Sequence, residues 1–307
     1  MGPILFNLYI NDLPLIDNKN SNYILYADDT NIIFSSNDPN SIYDKLESVL
    51  SITTAWFKRN HLILNLSKTT YMHIRPKPDF LTNYPPNSSI QIDRADQTKF
   101  LGVTFSSDLS WQNHINTVSK KIKPGIAMLF KLRHSLPTPT LLQIYFSLIH
   151  SHLSYAILIW GSSPESSMIK LLRLQKKAIR IIDHKPPRTS CRPLFKKYNI
   201  LTITSLYILQ SALHIKKAIT TDQKNPSGPS IQANRDIHSH YTRQRNNIFI
   251  HNLPTSHRKT NVNHNSSIIY NKLPAHLKQI TCVRKFKNAT KEFLLNNSFY
   301  SVQELCD

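Results

Sequence analysis

The chain has 307 residues, 38 Lys and Arg against 18 Asp and Glu, and a formal charge of +20. Three scattered cysteines, Cys191, Cys282 and Cys306, with no CxxC pair argue against a disulfide scaffold or zinc knuckle and point to a reducing compartment. No apolar run reaches the roughly 20 residues of a membrane span, and Met1–Phe6 has neither a basic flank nor a hydroxyl at position 6 for a signal peptide or myristoyl site.

Length allows one large domain or two to three small ones. Five glycines disfavour a glycine-rich loop fold, and eighteen prolines, mostly clustered, suit rigid connectors between helical blocks. Charge is uneven. Residues 1–70 hold 5 basic and 7 acidic side chains, so the remainder holds 33 of the 38 basic and 11 of the 18 acidic ones. A positive surplus confined to one part of a chain favours a polyanion, because phosphate contacts release condensed counterions. A merely soluble basic surface is the weaker reading.

In chain order, residues 4–12 carry apolar side chains at helical spacing and end before Leu13-Pro14. Two β-prone runs, 22–27 and 30–35, enclose Asp28-Asp29 as a hairpin. Asp38 or Ser41 caps a helix running to about Arg59, with Ile42, Leu46, Val49, Leu50, Ile52 and Trp56 on one face. Strand signals follow at 69–75 and 90–93, separated by a polar loop (76–89), and a further hairpin centres on Phe100-Leu101-Gly102-Val103. This order suits an α+β partial sheet with helices on one face. From Trp111 the texture turns helical, with segments at 112–135, 138–160 and 165–183 forming an αα-hairpin bundle. The third places Lys170, Arg173, Lys176, Lys177 and Arg180 on a flank that could track a phosphate backbone or simply be solvated. Residues 191–219 are helical, 221–247 read as loop or partly disordered, and 283–295 is a last helix. Histidines of the tail (His238, His240, His251, His257, His264) lack metal-site pairing and are assigned no role. The expected organisation is a sheet-bearing domain over 1–110, a helical domain over 111–185 and a basic tail over 186–307.

Tyr26-Ala27-Asp28-Asp29 carries the chemistry. Adjacent carboxylates repel unless a cation lies between them, and their hard oxygens suit Mg²⁺ or Mn²⁺. Such a pair serves two-metal phosphoryl transfer. Alone, it would equally be a surface Asp-Asp turn.

The surrounding residues make it specific. Gly2-Pro3-Ile4-Leu5-Phe6 through Asn11-Asp12-Leu13-Pro14, followed by Leu25-Tyr26-Ala27-Asp28-Asp29-Thr30, resembles reverse transcriptases of non-LTR retrotransposons, particularly the jockey-like group. Trp56-Phe57, Asn60, Leu62, Leu64-Asn65, Lys68-Thr69, Phe100-Leu101-Gly102-Val103 and Trp160-Gly161 follow in family order. The resemblance covers most of residues 1–183. It implies a palm over 1–110, a thumb over 111–185 and RNA-directed DNA polymerase activity on an RNA template, RNA–DNA or DNA duplex and dNTP. It implies metal binding at Asp28 and Asp29, and places Tyr26 beside the primer terminus and incoming nucleotide. Gly2-Pro3 would contact template, and Lys68 would lie near the triphosphate as a proton donor to pyrophosphate. Phe100, Leu101 and Gly102 would form the primer grip. Read alone, Tyr26 and Phe100 fit a core, Lys68 a solvated surface and Gly2-Pro3 a helix start. The family's other metal-binding aspartate lies upstream of the Gly2-Pro3 motif, so residues 1–307 alone are expected to be inactive. Asp12 and Asp17 follow the helix and are not expected to replace it. The alternatives are a transposon-derived remnant that binds nucleic acid without catalysis and, more weakly, a palm-fold polymerase or cyclase of another class. The family's integration at chromosomal targets implies nuclear residence.

Overall fold

The computed structural model describes residues 2–17, 21–38, 41–74, 92–220, 231–237, 245–253 and 261–306. The chain divides into Met1–Thr98 and Lys99–Asp307.

The first unit opens with α1 (Gly2–Tyr9) and a short 3₁₀ turn (Leu13–Leu15), shorter than the helix expected over 4–12. An antiparallel ribbon follows, β1 (Asn22–Tyr26) against β2 (Asp29–Ile33). Next comes α2 (Ser41–Arg59), capped as its sequence suggests. Asp38 Oδ2 accepts the Ser41 amide at 3.3 Å, and the Ser41 hydroxyl donates to the Asp38 carbonyl at 3.0 Å. At its far end Lys58 and Arg59 face the carbonyl pole of the helix, where cations are favoured. Ile10, Leu13 and Trp56 are buried together, with Phe6, Tyr23, Leu25 and Phe57 packed around them, so α1, α2 and the ribbon share one small core.

The fold is α+β, but among the described residues the strands form three separate two-stranded ribbons instead of one sheet. Of the predicted strands at 69–75 and 90–93, residues 75, 90 and 91 lie outside the described residues; the rest contains β3 (Thr70–Tyr71) and the start of β4 (Asp93–Arg94), which pair in parallel. The loop predicted over 76–89 lies outside the described residues. β5 (Gln97–Phe100) and β6 (Val103–Ser106) make the third ribbon. Among the described residues no ribbon has a third strand, which is why no continuous sheet face forms.

The second unit is helical. After β6 come α3 (Gln112–Leu132), α4 (Thr138–Tyr145), a π-helical turn (Phe146–His150), α5 (Ser151–Ser154), α6 (Ile157–Trp160) and α7 (Glu165–Ile182). The single helix predicted over 138–160 is broken. Tyr155 is extended, Ala156 is left-handed (φ 50°, ψ 23°), and the Trp160 indole donates to the Tyr155 carbonyl at 2.9 Å, holding the break in place. The helix predicted over 191–219 also divides, into α8 (Arg192–Lys197) and α9 (Ile203–Thr220), around left-handed Asn199 (φ 52°). Then follow α10 (Asn234–Ile237), α11 (Val262–Lys272), α12 (Ala275–Lys278), α13 (Val283–Asn297) and α14 (Gln303–Cys306). Of the loop predicted at 221–247, residues 221–230 and 238–244 lie outside the described residues, and Ala233 bridges Ile248.

One core runs from Val103 to Phe299, with Tyr145, Trp160, Phe195 and Phe286 among its fully buried side chains. Twelve of the eighteen residues of α9 are buried, and α5, α6, α7, α11 and α13 pack around it. A helix that is apolar all round belongs at the centre of a bundle, and α9 is that helix. Buried Gln175 ties α7 to it. Its Nε2 donates to the Tyr145 hydroxyl and the Leu201 carbonyl, each at 2.9 Å, and its Oε1 accepts the Ile203 amide at 2.9 Å. Burial pushes the Tyr145 phenol well above its ordinary range, so it stays neutral and able to accept that bond.

Candidate active site and nucleic-acid surface

The β1–β2 ribbon closes through Ala27 and Asp28, with Tyr26 paired opposite Asp29. Ala27 is left-handed (φ 51°), the conformation a two-residue hairpin turn demands. Asp28 therefore sits in the turn and Asp29 opens β2, so the returning strand begins one residue earlier than the sequence suggests. Both carboxylates are exposed, as is the ring of Tyr26. The β-prone runs on each side, half-buried at Tyr23 and Leu25, anchor the ribbon to the core while the polar tip stays in water.

The donor chemistry at this tip fits a divalent cation: two adjacent hard carboxylates, neither engaged in an ion pair among the described residues. The set is nevertheless small. No group of three or more His, Cys, Asp or Glu among the described residues could enclose a metal. Asp17, set aside on sequence grounds, is buried, and its Oδ2 has no hydrogen-bond partner among the described residues.

Lys68 is exposed in a turn organised by Asn65, whose Oδ1 accepts from the Ser67 hydroxyl at 2.7 Å and the Lys68 amide at 3.3 Å. No ion pair joins it to Asp28 or Asp29 among the described residues. Gly2 and Pro3 form the exposed first turn of α1, and a Cβ on Gly2 would meet nothing.

Leu101 and Gly102 form the β5–β6 turn with both φ angles positive (45° and 81°), a pattern that needs glycine at its second position. Phe100 is half-buried and Leu101 exposed. The Tyr155 hydroxyl donates to the Leu101 carbonyl at 2.5 Å, and its ring lies 3.4 Å from where a Gly102 Cβ would be. The break before α6 thus presents Tyr155 to the hairpin tip. Trp160 is fully buried, and a Cβ on Gly161 would sit 2.3 Å from the Tyr207 ring, so this dipeptide is a packing element.

The five cations of α7 separate into two groups. Lys170, Arg173 and Lys177 are exposed along one stripe. Lys176 and Arg180 are half-buried and make contacts within the chain. Lys176 Nζ lies 3.6 Å from the centre of the Tyr300 ring, and Arg180 Nε donates to the Thr189 carbonyl at 2.8 Å. Burial, with the charges of Arg180 and Arg192 nearby, pushes the Lys176 amine below the usual lysine range.

The exposed stripe continues onto α3. Ser167 donates to Gln112 Oε1 and Lys170 Nζ to Asn116 Oδ1, each at 2.7 Å, and the His134 and His184 rings meet at 5.3 Å. These contacts, advancing together along both helices, show that α3 and α7 run side by side in the same direction. Exposed Lys120 and Lys123 lie four and seven residues beyond Asn116, hence on its face. The two helices together form a basic track about 27 Å long from Asn116 to His134. Glu165 is the one acidic residue in 112–182. Lys120 and Lys123 were not singled out from sequence: the Lys120-Lys121-Ile122-Lys123 run is visible there, but not the face it shares with α7.

Residues 1–105 match the family described as reverse transcriptase (RNA-dependent DNA polymerase). The chain is 27% identical over 217 residues to a probable RNA-directed DNA polymerase from transposon BS of Drosophila melanogaster, covering 66% of this chain and 24% of that protein. It is 23% identical over 193 residues to the probable RNA-directed DNA polymerase of the X-element, covering 59% and 21%. To the RNA-directed DNA polymerase of mobile element jockey it is 23% identical over 195 residues, covering 61% and 21%. The chain thus spans less than a quarter of the length of these relatives. No solved structure matches it. No helix among the described residues is long and apolar enough to cross a membrane. The ordered motifs and these matches make residues 1–105 similar to the reverse transcriptase family, and the chain similar to the RNA-directed DNA polymerases of jockey-like non-LTR retrotransposons.

Proposed function

We propose that this chain supplies the acidic hairpin and the nucleic-acid-holding helices of an RNA-directed DNA polymerase that copies retrotransposon RNA at a chromosomal target in the nucleus. The hairpin tip carries the reading. Asp28 and Asp29 project into water from a ribbon anchored in a hydrophobic core, so a Mg²⁺ or Mn²⁺ there could also reach a dNTP triphosphate. When bound, the metal would polarise the phosphates and offset the charge of the leaving pyrophosphate. Tyr26, paired with Asp29, would set the floor under the primer terminus, and exposed Lys68 would give a proton to the pyrophosphate. Gly2 and Pro3, with no side chain in the way at Gly2, would let the template backbone approach closely. The turn through Phe100, Leu101 and Gly102, held by Tyr155, would support the primer strand. The α3–α7 track, with Lys170, Arg173 and Lys177 opposite Lys120 and Lys123, would follow the phosphates of an RNA–DNA or DNA duplex.

With two carboxylates and no third partner among the described residues, residues 1–307 alone should not polymerise. Labelled dNTP incorporation on a primed RNA template is expected to stay at background. Incorporation that disappears in Asp28→Ala would overturn this expectation. The metal reading has a separate readout: Mn²⁺ should broaden NMR amide signals chiefly at residues 27–30, an effect removed by Asp28→Asn with Asp29→Asn. Uniform broadening would refute it.

The track also supports a second reading, a binding remnant without chemistry, because its cations could hold a duplex whether or not Asp28 and Asp29 hold a metal. Duplex affinity unchanged by Asp28→Asn and steeply salt-dependent is expected under both. Polymerase activity of a longer polypeptide containing this segment separates them.

A further inference from the structure

Three cations gather beneath the C-terminal segment at the end of α7. Lys176 Nζ lies 3.6 Å and the Arg192 guanidinium 4.7 Å from the centre of the same Tyr300 ring, so one aromatic side chain brings both together. Arg180, one turn beyond Lys176, donates through Nε to the Thr189 carbonyl at 2.8 Å. The Cys191 thiol joins that loop to the helix, lying 3.8 Å from the Lys176 carbonyl and 3.7 Å from that of Thr189. The cluster is therefore framed by contacts from α7, from the start of α8 and from Tyr300.

A carboxylate of the chain itself occupies it. Arg192 Nη2 donates to both oxygens of Glu304, at 3.0 and 2.9 Å, and the Tyr300 amide donates to Oε2 at 3.2 Å. Among the described residues this is the only ion pair made by Lys176, Arg180 or Arg192. A guanidinium with a backbone amide beside it holds a phosphate in the same way, through charge-assisted hydrogen bonds to its oxygens. The Arg192 and Glu304 side chains are 50% and 35% exposed, and an ion pair so open to water adds little net stability. Val302 and Leu305, on either side of Glu304, pack against the core, so the Glu304 side chain can swing aside while the segment stays anchored.

The position of the cluster gives the class of its ligand. Arg173, Lys176 and Arg180 recur at three- and four-residue spacing, so the cluster prolongs the stripe on which Arg173 and Lys177 lie exposed. We propose that Arg192, backed by Lys176 and Arg180, binds a backbone phosphate of an RNA–DNA hybrid lying on the α3–α7 track, and that Glu304 fills this site as an internal competitor until the hybrid displaces it. The exposed Arg192 is the donor, while half-buried Lys176 and Arg180 add positive field. This site rests on the α3–α7 reading given above and adds one more phosphate contact at the end of that track.

The test measures binding of a short fluorescein-labelled RNA–DNA hybrid to the full chain. Glu304→Gln keeps an acceptor for Arg192 and the Tyr300 amide, so an unchanged melting temperature is expected. Affinity should rise roughly two- to fivefold, the fold-change that an exposed ion pair represents. The slope of log affinity against log salt should steepen by up to about 0.9, the contribution of one duplex phosphate. In an Arg192→Gln background the same substitution should bring no gain. Glu292→Gln removes an equal charge from outside the cluster and should leave affinity unchanged. The wild-type chain gives a second readout that no variant's folding can disturb: phenylglyoxal should modify Arg192 more slowly in the hybrid complex than in the free chain, followed at that residue by mass spectrometry. An equal gain from Glu304→Gln with and without Arg192 would overturn the proposal. So would protection of Arg192 by inorganic phosphate but not by the hybrid. Charge reversal at Lys170, Arg173 and Lys177 tests the track by itself. If that variant binds the hybrid as tightly as wild type, the α3–α7 reading fails and this one with it. If it binds weakly while Glu304→Gln brings no Arg192-dependent gain, this one alone fails.

Discussion

Gly161 and Ala156 lie five residues apart and make opposite demands. At Gly161 there is no room for a methyl group: its Cβ would meet the Tyr207 ring at 2.3 Å and the Ile157 carbonyl at 2.5 Å. Gly161→Ala should therefore destabilise the chain by about 1–3 kcal/mol, read as a lower melting temperature, without a specific change in nucleic-acid affinity. At Ala156 the backbone takes a left-handed conformation that a Cβ disfavours. Ala156→Gly should raise stability by up to about 1 kcal/mol, the relief of strain being partly offset by greater freedom in the unfolded chain. A melting temperature that moves the same way in both variants would contradict this account. The acidic pair Asp28-Asp29 was legible from sequence because β-prone runs bracket a turn-tolerant dipeptide. The contacts of Lys176 and Arg180 were not, because helical spacing cannot show that Tyr300 and Thr189, far along the chain or in a loop, come to meet them.

Between elements, His114 joins α3 to β6. The Thr104 amide donates to its Nδ1 at 3.2 Å, and burial, followed by the Lys121 charge, holds its imidazole below the ordinary histidine range. The native state thus resists protonation, whereas the unfolded chain takes up the proton near pH 6.5. This contribution is complete above that pH and is lost as pH falls from it toward the lowered native value. His150 shifts in the same direction. Chemical denaturation at pH 7.5 and 5.5 should show lower stability in acid, and His114→Gln should flatten the difference. An equal pH dependence in that variant would exclude His114 as a source. Helices α3, α7 and α13 were legible because their apolar residues recur at i, i+3 and i+4. Helix α11 was not, because it packs onto α9 with Ser266 and Ser267 beside Ile269 and Tyr270, and small hydroxyl residues leave no hydrophobic periodicity. The predicted 138–160 helix missed its break because Ala156 carries no breaking signal; its geometry depends on the Trp160–Tyr155 hydrogen bond.

At the scale of the molecule, the helices of 111–185 and those of 186–307 share one core. Phe195, Ile203, Ile208, Phe286 and Leu294 are buried with Ile115, Tyr145 and Trp160. The C-terminus is fastened back by Arg192, which makes a paired hydrogen bond to Glu304 at 3.0 and 2.9 Å and lies over the Tyr300 ring at 4.7 Å. A fragment ending at residue 185 should therefore lack a cooperative thermal transition and bind a hydrophobic dye, whereas residues 99–307 should melt cooperatively. A sharp transition in the shorter fragment would show that α9 is dispensable. This continuity was hard to read from sequence, since the composition change around His184-Lys185-Pro186-Pro187 looks like a boundary.

The central position of α9 also constrains how the chain is made. The helices that cover it are encoded both before and after it, and α13 is complete only at Asn297. During synthesis its greasy surface must wait while nearly eighty residues, from Thr220 to Asn297, are added, a delay of several seconds at roughly 5–20 residues per second. A nascent chain in that condition is a natural client for chaperones, and premature stop codons past α9 would yield aggregates instead of smaller working proteins.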